Sequence, residues 1–260
     1  MNPGMRTSAS GMIAQQKMVD VIANNLANVN TTGFKRSRAA FEDVLYETVQ
    51  GPRSPNGESV IGAMQIGHGV RLAAVTRIDG QGGPEMTGRP LDLTIEGEGF
   101  FQVETADGGI AYTRDGSFTL SESGQLLTQG GYALVPGIVI PPDATVVTIS
   151  SNGMVSVSVG KDAQTVELGR IELARFANTT GLLSAGGNLY TESSASGAPM
   201  TGMADENGFG RILQGSLESS NVEVVQEMTD MIAAQRAYEI NARAIRAAED
   251  MMRSIDDLIR

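Results

Sequence analysis

The sequence predicts an α+β protein, with long N- and C-terminal helices forming a coiled-coil-like core domain and a central antiparallel β domain. Three observations carry this. Ser220–Arg260 contains no Gly or Pro and repeats apolar residues every seven positions. The first thirty or so residues repeat in the same way. The stretch between them alternates apolar with polar residues and is cut repeatedly by Gly-containing turns.

The N-terminal helix is expected over about residues 3–32. Asn2 offers an N-cap side chain, and Pro3 stands at the first helical position, where its missing N–H costs nothing. Met5, Met12, Val19 and Leu26 form one apolar row, with Ile22 and Val29 on the row beside it. Gly33, after Thr31-Thr32, is free to take a left-handed cap conformation.

Ser220–Arg260 reads as the stronger helix. Val224, Met231, Tyr238, Ile245, Met252 and Ile259 lie seven apart, with Ala234, Ala248 and Ile255 between them. That is a coiled-coil-like seam. Glu239 with Arg243, Arg246 with Asp250 and Glu249 with Arg253 stand at i,i+4, each worth only about 0.2–0.5 kcal/mol. A rod of about 60 Å is too long to bury its seam within one chain of this size, so neighbours must cover it.

The middle is β-rich. Leu91–Glu96 and Val155–Val159 alternate as half-buried strands do, and Val70–Ile78, Phe100–Thr105, Ala111–Arg114, Val146–Ser150 and Val166–Arg175 are further strand candidates. Turns at Asp115-Gly116, Ser123-Gly124 and Asn152-Gly153 separate them. Gln50–Gly57 reads as an exposed arm. The expected divisions are 1–45 (N-terminal helix and Asn-rich motif of the core domain), 46–89 (extended arm or insertion with connecting strands), 90–200 (outer β domain), 201–219 (return linker) and 220–260 (C-terminal helix).

Composition excludes several classes. The formal charge is −11, and residues 46–220 carry nine basic against nineteen acidic groups, which argues against nucleic-acid binding. There is no Cys, so no disulfide framework and no thiolate metal site. No apolar run is long enough to span a bilayer, and the N-terminus lacks the order of a secretory signal.

Candidate chemistry is sparse. His68, the one histidine, sits in Gly67-His68-Gly69 and reads as a turn residue. No Gly-x-Ser-x-Gly elbow or phosphate-binding loop occurs. Glu96 and Glu98 could be paired carboxylates, but a solvated strand end explains them. The sequons at Asn30 and Asn178 are short enough to arise by chance. No catalytic, cofactor or metal residue is expected. The stretch Asn24, Asn25, Asn28 and Asn30 is different: four asparagines in seven residues end an amphipathic helix. They are either a frayed helix end with a cap, or amides that bond to neighbouring chains and fix register.

Several of these segments form a signature. Ser10-Gly11-Met12, Asn24–Lys35, Gly97-Glu98-Gly99-Phe100-Phe101, Tyr112–Phe118, Ser219-Ser220-Asn221-Val222 and Met231–Asn241 resemble the bacterial flagellar rod and hook family, in its order and over essentially the whole chain. Within that family the chain is most similar to distal rod subunits, on its length and on Phe41–Tyr46 followed by a Pro/Gly-bearing insertion to about residue 63. The resemblance implies a structural subunit, not an enzyme, that polymerises helically into a rigid hollow drive shaft. That shaft carries torque from motor to hook and encloses the export channel. Both terminal helices would form its inner coiled-coil core, with the β domain outward. Another axial paralogue, from the proximal rod or a short hook-type subunit, is the alternative; a cell-wall-acting enzyme is a further one.

The partners so implied are further copies of the chain, proximal rod subunits, the hook subunit, the surrounding periplasmic and outer-membrane rings, and the flagellar type III export machinery. The place implied is the basal body, where the rod crosses the periplasm, reached without a cleaved signal peptide. The expected inter-subunit seam is Met5, Met12, Val19, Ile22, Leu26, Val224, Met231, Tyr238, Ile245, Met252, Ile255 and Ile259. Asn24, Asn25, Asn28, Asn30, Gly33 and Phe34 are the assembly motif, and Tyr46, Pro52, Pro55 and Gly57 mark a segment similar to one that stiffens the rod.

Overall fold

A computed structural model describes residues 3–49, 64–160 and 164–258. The chain divides into two compact units: residues 1–27, 37–77 and 223–260 form the first, and residues 28–36 and 78–222 the second.

In the first unit, helix α1 (Pro3–Ala27) is followed by strands β1 (Ser37–Asp43), β2 (Tyr46–Val49), β3 (Met64–Gly67) and β4 (Val70–Arg77). Helix α2 (Val224–Leu258) closes the chain. β1 pairs antiparallel with β4, with a register shift at Ala40/Phe41, and β2 pairs with β3. α1 packs along α2 and also against β1 and β4. Asn25 near the end of α1 meets Glu227 near the start of α2, and fourteen positions further along each helix Gly11 faces Asn241. The helices therefore run antiparallel.

The expected coiled-coil-like core domain is not what forms. Among the described residues there are two α-helices, and about 38% of those residues are strand. The α2 row that turns inward is Glu227, Ala234 and Ala248, all buried, with Asn241 half-buried. Small and polar residues let two helices approach closely but supply no knobs for holes. α1 has a second partner in the β1–β4 ribbon, so its apolar stripe is shared between a helix and a sheet. A heptad repeat reports that one face is apolar; it does not report which element covers that face. α1 also ends at Ala27 rather than at residue 32. Asn28 and Thr31 close a turn there, through Thr31 N–H to Asn28 O (3.1 Å) and Thr31 Oγ1 to Asn28 Oδ1 (3.1 Å).

The second unit begins with β5 (Pro84–Met86), β6 (Leu93–Glu96), β7 (Phe100–Glu104), β8 (Ile110–Thr113), β9 (Phe118–Leu120), β10 (Leu126–Thr128) and β11 (Ala133–Leu134). It continues with β12 (Ala144–Ile149), β13 (Met154–Val159), β14 (Gln164–Arg170), β15 (Glu172–Arg175), β16 (Leu183–Gly186) and β17 (Leu189–Thr191). β18 (Met200–Met203), β19 (Arg211–Gln214) and β20 (Ser216–Glu218) follow, so residues 201–219, expected as a return linker, carry strands.

Every pairing in this unit is antiparallel. One nine-stranded sheet runs β16-β17-β8-β7-β11-β10-β9, with β15 bridging β7 to β18; β12-β13-β14 is a second sheet, and β6 pairs with β19 and β5 with β20. Phe101, Phe118, Leu93, Ile95, Ile171, Leu173 and Ile212 fill the core, with the Phe101 and Phe118 rings edge to face at 5.2 Å. A smaller cluster gathers Phe100, Tyr112, Phe176 and Tyr190.

Two strand expectations change. Leu93, Thr94 and Ile95 are all buried, so β6 is covered on both faces and its alternation is not a solvent pattern. Val166–Arg175 is two strands rather than one. At Ile171 the chain leaves the β12–β14 sheet for the nine-stranded one, and Ile171 N–H bonds instead to Gly153 O (2.8 Å).

Candidate assembly surface

α2 is buried along one row and open elsewhere. Of the expected seam residues on α2, Met231 and Ile245 are half-buried beside the inward row, while Val224, Tyr238 and Met252 are exposed. The backbone of Ile255 is helical, and Ile259 lies outside the described residues. On α1, Ile22 is buried and Met5, Met12, Val19 and Leu26 are half-buried. Exposed apolar side chains continue around α2 at Val225, Met228, Ile232, Ile240 and Met251. Of the three i,i+4 ion pairs expected on α2, Glu239–Arg243 closes at 3.4 Å.

The asparagines separate by role. Asn25 is buried; its Oδ1 accepts from Ser37 N–H (2.8 Å), and its Nδ2 donates to Ser37 O (2.8 Å) and Glu227 Oε2 (3.1 Å). One amide thus mimics a strand partner for the first residue of β1 while holding the start of α2. Asn28 shapes the turn after α1, and Asn24 and Asn30 face outward. Asn30, Thr31 and Thr32 line a polar cleft of about 330 Å³ with Glu85 and Leu217–Ser220.

A buried ionic knot lies in the second unit. Lys35 Nζ donates to Glu218 Oε1 and to Gly80 O (2.9 Å), and the same Oε1 accepts from Gly82 N–H (3.0 Å). Arg114 Nη1 stands 3.5 Å from Glu218 Oε2, and its guanidinium donates to Ile95 O (3.2 Å) and Gly97 O (2.8 Å) over the Phe100 ring. Burial pushes both Lys35 and Arg114 below their ordinary pKa, with Glu218 opposing it. Gly33 caps the arrangement: its N–H donates to Glu218 O (2.8 Å), its φ is +67°, and a Cβ there would lie 2.9 Å from the Arg114 carbonyl carbon. Phe34 is half-buried beside it, its carbonyl accepting from Asn221 N–H (3.3 Å). The Asn221 side chain then accepts from Arg36 N–H (2.7 Å) and donates to Ile78 O and Gly80 O (both 2.8 Å).

Lys35, Arg114, Glu218 and Asn221 were not singled out from the sequence as site residues. The available signal was that Lys35, Arg114 and Asn221 sit inside the motif segments, and that Lys35 and Arg114 adjoin Gly-bearing turns.

The residues weighed for chemistry each pair with a different partner. His68 Nε2 stands 3.5 Å from Glu47 Oε2; Glu96 pairs with Arg211 (2.6 Å), and Glu98 with Arg175 (3.5 Å). Among the described residues no group of three or more His, Cys, Asp or Glu could hold a metal ion, and no helix is long and apolar enough to cross a membrane. Tyr46 is exposed at the start of β2; Pro52, Pro55 and Gly57 lie outside the described residues.

Comparison with known proteins gives three family matches. Residues 5–35 match the flagella basal body rod protein family, residues 94–157 the flagellar hook protein FlgE/F/G D1 domain, and residues 213–258 the flagellar basal body rod FlgEFG protein C-terminal region. Each matched segment contributes one member of the ionic knot: Lys35, Arg114 and Glu218. The chain is 46% identical over 257 residues to the flagellar basal-body rod protein FlgG of Caulobacter vibrioides, covering 98% of each. It is 45% identical over 258 residues to the FlgG of Borreliella burgdorferi, covering 98% of this chain and 97% of that one. Identity to the Caulobacter vibrioides rod protein FlgF is lower, 34% over 259 residues.

Proposed function

This chain belongs to the flagellar basal-body rod FlgEFG family, a family of structural proteins and not of enzymes, and from that premise we propose how it serves as a distal rod subunit. It polymerises helically into a stiff hollow shaft that carries torque from motor to hook around an export channel. In that shaft it meets its own copies, proximal rod subunits and the hook subunit, the surrounding rings, and the export machinery that delivers it. The observation that carries this reading is α2: a thirty-five-residue helix with one buried row and large apolar side chains on its other faces. A monomer does not keep such surface open without a partner to cover it. The segment holding Tyr46, Pro52, Pro55 and Gly57 stiffens the shaft, and Asn24 and Asn30 face neighbouring copies.

The higher identity to FlgG than to FlgF favours the distal over another axial position. The test is complementation of a strain lacking its distal rod gene. This chain is expected to restore swimming, whereas its Ile232→Asp variant is expected to leave basal bodies that end before the hook. Full swimming with Ile232→Asp would remove α2 from the assembly surface. Failure of the unaltered chain, although exported, would remove the distal assignment.

A further inference from the structure

The chain holds three Asn-Gly dipeptides, at Asn56, Asn152 and Asn207. This pairing is chemically labile. The backbone nitrogen after an asparagine can attack the side-chain amide carbon, and a glycine there has no side chain to block the approach. In a folded chain the attack depends on the local freedom of both groups. Asn56 lies outside the described residues, and the other two sites are held in opposite ways. At Asn152 the reacting groups are tied down. Its Oδ1 accepts from Met154 N–H (3.1 Å), and Gly153 N–H, which carries the attacking nitrogen, donates to Ser150 O (2.9 Å). Gly153 is buried, and its carbonyl accepts from Ile171 N–H (2.8 Å). Asn207 and Gly208 are instead both exposed. They are the central pair of a turn closed by Phe209 N–H to Glu206 O (2.9 Å), with φ of +52° and +82°. Among the described residues nothing accepts from Gly208 N–H and nothing holds the Asn207 amide. Arg175 Nη1 donates to Gly208 O (3.2 Å), and a Cβ at residue 208 would stand 2.9 Å from that nitrogen, so the guanidinium lies against the glycine. A cation there favours the amide anion that makes the attack.

We propose that Asn207 is a site of spontaneous modification, converted to isoaspartate and aspartate while Asn152 is spared. Gly208 N forms a bond to Asn207 Cγ, the bond from Cγ to Nδ2 breaks, and ammonia leaves with the amide proton. Water then opens the five-membered imide at either carbonyl. Opening at Cγ restores the ordinary main chain with an aspartate. Opening at the main-chain carbonyl leaves the chain running through the side chain, one carbon longer. Either product adds a negative charge next to Asp205 and Glu206. Only the longer one also undoes the turn, because the bond from Phe209 N–H to Glu206 O spans a fixed number of main-chain atoms. The Phe209 ring, whose centre lies 5.8 Å from Arg175 Cζ, is then loosened together with the bond from Asp205 N–H to Gly210 O (3.1 Å). The site follows from local geometry and does not depend on the chain being a rod subunit; in a subunit that stays in a shaft, the conversion accumulates with age.

The purified, unaltered chain is held folded for days at mildly alkaline pH and growth temperature, beside the same chain unfolded in urea. Mass spectrometry of its peptides reads the loss of each asparagine, and an isoaspartyl methyltransferase labels the isoaspartate. In the folded chain Asn207 is expected to convert about tenfold faster than Asn152 or more, the factor that roughly 1.4 kcal/mol of local opening at Asn152 imposes. In urea the two are expected to convert alike. Equal rates in the folded chain overturn the inference. So does a preference for Asn207 that persists in urea, since neighbouring residues rather than the fold would then set it. Aspartate without isoaspartate would overturn the imide route. Hydrogen exchange at the Phe209 amide is expected to quicken in the isoaspartate fraction, and an unchanged rate there would overturn the loss of the turn.

Discussion

Lys35 and Glu218 show how much depends on single buried groups. Taking one member of a buried pair away leaves the other uncompensated, which costs about 3–5 kcal/mol. Arg114 at 3.5 Å and Gly82 N–H still serve Glu218, so Lys35→Met is expected at the lower end, about 3 kcal/mol, by urea unfolding. The pH dependence has a definite sign. Burial lowers the Lys35 pKa below 10.5, so between the lowered value and 10.5 the unfolded chain holds a proton that the folded chain has released. Stability from this group therefore rises with pH across that window. The stability gap between the unaltered chain and Lys35→Met is expected to widen towards pH 10.5, and a narrowing gap would contradict the assignment. Asn25→Ala strips three hydrogen bonds and leaves the Ser37 backbone without its amide partner, at about 1–3 kcal/mol. Faster exchange of the Ser37 amide, with the second unit's amides unchanged, is the expected signature.

At the scale of elements, α2 separates packing from assembly by face. Ala234 is 2% exposed in the row that faces α1, so Ala234→Phe is expected to overpack that contact and cost about 1–3 kcal/mol in thermal unfolding. Tyr238, 43% exposed, is expected to cost under about 0.5 kcal/mol as Tyr238→Ala in the isolated chain. The heptad in the sequence located the helix, and its limits were nearly legible because no Gly or Pro interrupts it. Ala234 and Ala248 were read as intermediate positions of the seam, but which of its two rows turns inward was not legible. Met231 and Ile245 look like the better core residues, but Gly11 on α1 leaves room for Asn241, and Ala234 and Ala248 on the same row of α2 are the buried ones. The ribbon of β1 and β4 was read only in part, since β4 was an expected strand and its partner β1 was hidden in the Ser37–Asp43 stretch.

For the whole molecule, Leu26→Asp and Ile245→Asp place a charge at half-buried positions of the first unit alone. Either is expected to abolish swimming while the strands of the second unit keep their protection in hydrogen exchange; a swimming strain would argue against those positions as assembly contacts. The sequence by itself determined the presence of two long terminal helices, a β-rich body between them, the lack of thiol chemistry and the motif segments that mark the family. These are local properties: periodicity, turn residues and composition act over a few positions. Only the tertiary structure decided that Lys35, Arg114 and Glu218 share one buried knot, and that Asn25 holds β1 and α2. It alone decided that the inward row of α2 is small and polar. Apart from the bonds of Asn25 to Ser37, twelve positions away, those facts join residues far apart in the chain, and a buried charge or a small residue is stable or required only through the groups that end up around it.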